Sequence, residues 1–133
     1  MKHSRIIEIA KAFRPGDWGK MPFHLTFAFK KSKLLCVGRN NINKTNPRNL
    51  KYNYIDRDGK SKSHVIGIHS ELSAVIKLGT ENCSDISFYV IRIDNIGNAN
   101  YSKPCSGCMD MFRQVGYREI FYTDKQGKFK KIH

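Results

Sequence analysis

The chain is short of acid. Eleven Asp and Glu stand against 24 Lys and Arg in 133 residues, a formal net charge of +13. An excess of that size speaks about partners rather than fold, and it points to anions: nucleotides, single-stranded nucleic acid or tRNA. Charge alone locates no site, and the plain alternative is a soluble chain that sticks to polyanions. Long apolar runs are missing too. No stretch approaches the ~18 apolar residues of a membrane-spanning helix. Met1 to Glu8 carries neither an extended apolar region nor a small-residue cleavage site, so no signal peptide is expected. The four cysteines suggest no disulfide framework. Two sit in a metal-ligand spacing, and Cys36 and Cys83 lie in apolar or turn contexts, which suits a reducing, cytoplasmic setting. Hydrophobic residues make up 40%, enough for one domain over residues 1–133 to bury its own core.

What is there alternates between helix and strand patterns. Ile6, Ile9, Ala10 and Phe13 share one face of a helix over 4–13, with Ser4 as its N-cap. His24 to Gly38 reads as a β-hairpin turning at Lys31-Ser32-Lys33. The span 39–64 is rich in Asn and Lys and poor in large aliphatics, which predicts a long loop. Seven basic residues against two acidic ones give it a net charge of +5, with Tyr52 and Tyr54 interleaved. A helix is expected over 69–78, a strand over 86–93, a second helix over 105–115 closed by Gly116, and a strand over 119–123. The basic tail, 124–133, either adds a short edge strand or stays loose. No repeat and no second domain is visible. Strands alternating with helices predict an α/β domain: a mixed central sheet of about five strands between helical layers.

Two short segments carry the chemistry. His69-Ser70-Glu71 brings an imidazole and a carboxylate, and Pro104-Cys105-Ser106-Gly107-Cys108 brings two thiols one helical turn apart. Three N/S ligands form a zinc site with its fourth position open, the arrangement of a catalytic rather than a structural zinc. His69, Cys105 and Cys108 are therefore the expected Zn2+ ligands. Placing His69 and Cys105 at the starts of two helices aims two positive helix ends at one spot, which favours thiolates. Glu71 is left free to move protons as general acid and base. A closed structural zinc would need a fourth ligand, for which His64 and Cys83 are the candidates by sequence. That reading, like a redox Cys-x-x-Cys, leaves Glu71 unexplained.

His-x-Glu followed by Pro-Cys-x-x-Cys is the signature of the zinc-dependent base deaminases, and over roughly residues 1–125 the chain resembles the cytidine/deoxycytidylate deaminase superfamily in its order of elements. The resemblance implies a three-layer α-β-α cytidine deaminase-like fold and hydrolytic conversion of a cytosine base to uracil. It also implies substrate contacts. Gly38-Arg39-Asn40 matches the family's Gly-x-Asn, whose Asn touches the sugar, and Ser102-Lys103-Pro104-Cys105 matches its Ser/Thr-x-Pro-Cys beside the base. Asn40, Ser102 and Pro104 are the expected substrate-binding residues, although an Asn there is equally a common turn former. His3 and His24 read as ordinary surface and hairpin histidines. Trp18, Tyr52, Tyr54 and Tyr101 could stack on a base, but lone aromatics more often serve packing.

His69 in place of a third cysteine turns the resemblance away from the free-nucleoside enzymes. It turns towards deoxycytidylate, polynucleotide cytosine and tRNA adenosine deaminases. The last typically approach their cysteines through Leu-Glu-Pro-Cys, which this chain does not match. The deoxycytidylate enzymes often carry Asn shortly after the catalytic Glu, where Leu72 and Ser73 stand. The polynucleotide enzymes' Trp-containing version of the cysteine motif is absent. A cytosine nucleotide or single-stranded DNA or RNA is the expected partner. The alternatives are tRNA adenosine deamination and a zinc-stabilised nucleic-acid-binding module without catalysis. Family members commonly assemble, which keeps a homo-oligomer among the candidate partners.

Overall fold

The computed structural model describes residues 3–13, 23–40, 54–55, 61–62, 69–79, 82–94 and 96–132. Helix α1 is His3–Phe13. A hairpin follows, β1 (Phe23–Lys30) and β2 (Lys33–Arg39), then a two-residue pair, β3 (Tyr54–Ile55) and β4 (Ser61–Lys62). Helix α2 (Ser70–Leu78), β5 (Ile86–Ile93), the short β6 (Ala99–Asn100), helix α3 (Ser106–Val115), β7 (Glu119–Thr123) and β8 (Phe129–Lys131) complete the order.

The main sheet runs β2-β1-β5-β7-β8, with β6 also paired to β5. Only β5 and β7 are parallel, and α3 lies between them in the chain, as a parallel crossover requires. Period-two alternation splits the central strands between two cores. On one face Phe23, Leu25, Phe27 and Phe29 of β1 and Ile91 and Ile93 of β5 meet Ile6 and Ala10 of α1. On the other, Ala28, Phe88, Val90 and Ile120 meet Leu72 and Val75 of α2 and Met109, Met111, Phe112 and Val115 of α3. The mixed sheet therefore lies between one helix and two, the three-layer arrangement expected from the alternating elements.

Several local expectations need correcting. His3 is already helical, so Ser4 lies within α1 rather than capping it. Phe13 is 48% exposed and touches Phe27 only edge-on. His3 is exposed, yet its ring packs on Tyr89, Phe121 and Phe129 at centroid distances of 5.1–5.5 Å. The span 39–64 is not all loop: Tyr54 pairs with Lys62 and Ile55 with Ser61. The rest of that basic span, with Tyr52 and His64, lies outside the described residues, as does Trp18. The tail resolves into an edge strand, because Asp124 accepts the Gln126 and Lys128 N–H groups and turns the chain back along β7. Among the described residues no helix is long and apolar enough to cross a membrane.

One glycine decides where α2 sits. A Cβ on Gly38 of β2 would lie 2.4 Å from both Ser70 O and Ala74 N, so the strand reaches the helix backbone only because the side chain is absent. Gly38→Ala must push α2 off the sheet. It is expected to destabilise the domain by about 3 kcal/mol and, by displacing the first turn of α2, to impair the site described below. Thermal denaturation reads the first effect, and an unchanged melting temperature would contradict the packing.

Candidate active site

Both helices that carry the motifs begin on a residue expected to be a ligand. His69 is the N-cap of α2 and Cys105 the N-cap of α3, each in extended conformation and neither bonding its helix through the side chain. Their carbonyls start the helices, accepting from Ser73 N–H at 3.0 Å and Met109 N–H at 2.9 Å. Ser, Thr, Asp or Asn at an N-cap would stabilise a helix by about 1 kcal/mol relative to such residues. Both positions forgo that and project a donor atom instead.

The donors converge. One ligand atom each from His69, Cys105 and Cys108 lies within 4.8 Å of the others. His69 Nδ1 is 3.3 Å from Cys108 Sγ and 3.6 Å from Cys105 Sγ. Tetrahedral zinc, with its usual bonds to nitrogen and sulfur, sets such a pair about 3.5 Å apart. The donor set fits a zinc ion. Among the described residues no other His, Cys, Asp or Glu joins the group. Cys83, one of the two fourth-ligand candidates, is instead fully buried in the core beneath α2 and α3, and His64 lies outside the described residues. Cys36 packs at the edge of the same core, where burial raises its thiol pKa.

The two thiols are unequal. A hydrogen bond from Cys108 lowers the Cys105 pKa to about 5, with His69 adding to the effect against burial. That bond, then burial, then contact with Glu71 hold Cys108 well above its ordinary value. The metal-free pair is therefore expected to share one proton at neutral pH. Zinc uptake at pH 7 is expected to release about one proton, where two ordinary thiols would release about two. Calorimetry in buffers of different ionisation enthalpy counts them, and two would mean that Cys105 is protonated in the metal-free protein.

Glu71 sits in the first turn of α2, 5% exposed, with Ser70 Oγ donating to its Oε1 at 2.8 Å. Ser70 in turn bonds Thr26 Oγ1 at 2.9 Å. Neither hydroxyl was singled out by the sequence reading. The only hint is a small polar residue between His69 and Glu71.

The residues expected to contact substrate make structural bonds of their own. Ser102 is buried, donates to Val90 O at 2.7 Å and accepts the Thr123 N–H at 2.8 Å, so its hydroxyl ties the approach to α3 onto β5 and β7. Pro104 is buried immediately before Cys105. Asn40 extends the hairpin by one residue. Its N–H donates to His24 O at 3.2 Å, and its Oδ1 accepts the His24 N–H at 3.0 Å. Tyr101 packs edge-on against Tyr122.

Register adds a residue that sequence reasoning missed. His24 lies opposite Arg92, and Arg92 opposite Asn100. Asn40, His24, Arg92 and Asn100 thus form one polar row, two residues outward along the strands from Gly38, Thr26 and Val90. Thr26 is bonded to Ser70, where α2 begins, so this outer row lies beyond the helix N-terminus. Among the described residues Arg92 Nε is the one buried side-chain nitrogen or oxygen with no hydrogen-bond partner.

Neither a family model nor a curated protein matches the sequence. Solved structures do match. The deoxycytidylate (dCMP) deaminase of cyanophage S-TIM5, solved with dCMP and dUMP, superposes with a TM-score of 0.54 over 94% of this chain and 85% of its own, at 18% identity. The cytidine deaminase of Burkholderia pseudomallei gives 0.57 over 99% and 92%, at 16% identity. This is the cytidine deaminase fold. In this chain the two helices on one face of the sheet bring His69, Cys105 and Cys108 together at their N-terminal ends.

Proposed function

We propose that the protein is a zinc-dependent hydrolytic deaminase that converts the cytosine of a (deoxy)cytidine nucleotide to uracil with release of ammonia. The observation that carries the reading is the buried Glu71 carboxylate beside a three-donor zinc-binding group. A purely structural metal site has no use for a desolvated carboxylate at its edge. Zinc held by His69, Cys105 and Cys108 would supply a water of lowered pKa, a nucleophile available at neutral pH.

The chain's own residues do the rest. Glu71 takes a proton from the attacking water and delivers protons to the ring nitrogen and the departing amine. Burial keeps bulk water from competing for them. Asn40, and Ser102 and Pro104 through the backbone they hold in place, flank the sugar and base. Arg92, on the outer row with an unpaired buried Nε, faces the anionic end of the substrate. Support for a nucleotide comes from that cation, from the charge of +13 and from the likeness to a deaminase solved with dCMP and dUMP.

The reading is tested by cytosine-to-uracil conversion with zinc-loaded protein on dCMP, deoxycytidine and a single-stranded oligonucleotide, with Glu71→Ala as control. Conversion of dCMP is the expected result. Conversion confined to the oligonucleotide would move the substrate to nucleic acid, and none by zinc-loaded protein would overturn the reading. Arg92→Met is expected to raise KM for dCMP about tenfold, leave kcat within about twofold and leave deoxycytidine kinetics unchanged.

A further inference from the structure

The hydroxyls of Ser70 and Thr26 have no part in holding a metal, yet both are completely buried next to Glu71. Resting on the deaminase reading above, we propose that they are positioning residues that hold the Glu71 carboxylate in the one orientation from which it works.

The polarity of the chain follows from what each group can do. The Ser70 hydroxyl donates to Glu71 Oε1 at 2.8 Å. The Ser70 oxygen is then left to accept, and the bond at 2.9 Å is donated by Thr26. The relay runs from β1 through the first turn of α2 to the carboxylate. Neighbouring side chains on a helix do not face each other by default, so the Ser70–Glu71 bond depends on both being held under the sheet.

Two consequences follow for the shuttle. Oε1 is engaged by the Ser70 hydroxyl, so the plane of the carboxylate is set by a bond from outside the metal-binding group. The carboxylate also cannot swing, because Ser70 is anchored to a strand rather than to the helix alone. Thr26 reaches Ser70 because Gly38, its partner on β2, lets α2 lie against the sheet.

Ser70→Ala is expected to lower kcat between about 10- and 100-fold, with KM for dCMP and zinc content unchanged. Thr26→Val should lower kcat about fivefold, while Thr26→Ser, which keeps the hydroxyl, should restore it. The double variant Ser70→Ala/Thr26→Val should match Ser70→Ala alone, since Thr26 acts only through Ser70. A kcat unchanged in Ser70→Ala, or losses that multiply in the double variant, would overturn the proposal. Should Ser70→Ala fail to hold zinc, the Thr26 pair carries the same comparison. An infrared measurement separates this proposal from the assigned activity. The Glu71 carboxylate stretch, isolated as the difference between wild type and Glu71→Gln, should shift in Ser70→Ala whether or not any cytosine substrate is turned over. A band that stays in place would sink the relay even if deamination is confirmed.

Discussion

Glu71→Gln is expected to abolish deamination, by about 10⁴-fold or more, while zinc stays bound at wild-type stoichiometry. Loss of one positioned acid or base typically removes 10²- to 10⁴-fold. In the proposed mechanism the same group serves the water, the ring nitrogen and the leaving amine, so the upper end is expected. Glutamine is the cleaner substitution because its carbonyl can still accept the Ser70 hydroxyl at the place of Oε1. Alanine strands that hydroxyl and adds a small void. Stability should hold or rise, since the variant no longer buries a charge that is 5% exposed. Turnover, zinc content and melting temperature measured together decide the matter. Activity within tenfold of wild type would remove Glu71 from the mechanism, and loss of zinc would make it a ligand.

Cys105→Ala acts on the metal and on the fold at once. It removes the donor that the Cys108 hydrogen bond and His69 hold as a thiolate, leaving His69 and Cys108 as an incomplete pair. The substitution is expected to reduce bound zinc below about a tenth of wild type. Binding a structural zinc contributes on the order of 10 kcal/mol in small domains. This domain also has two hydrophobic cores, so a loss of several kcal/mol is expected, with a melting temperature lower by ten degrees or more. The damage should concentrate where α2 and α3 meet, because the metal would tie their N-termini together. Elemental analysis and thermal denaturation read both effects. Zinc retained at wild-type stoichiometry would overturn the ligand assignment.

Much of the architecture was legible because it is local. Ile86–Ile93 and Glu119–Thr123 are strands within the bounds their apolar patterns predict. The helices at 70–78 and 106–115 start one residue later than expected, since His69 and Cys105 serve as their N-caps. The errors are also physical. Ser4 has the chemistry of a cap, but the helix extends past it at least to His3, which rests on the Tyr89, Phe121 and Phe129 rings. The pairing of β3 with β4 was invisible because strands of two residues carry no period.

The site divides along the same line. By itself the sequence determined the donor set. Cys105 and Cys108 share a helical turn, and Glu71 stands two residues from His69, so those relations follow from backbone geometry over a few residues. Only the tertiary structure decided that the two motifs meet, 36 residues apart at His69 and Cys105, and that Thr26 reaches Ser70 across 44. It also decided that Arg92 joins Asn40 in one row through β1. Such meetings depend on strand register and on the close approach that Gly38 permits. Register is settled by how whole faces of the sheet bury against three helices, a property of all the elements together that no single stretch of sequence carries.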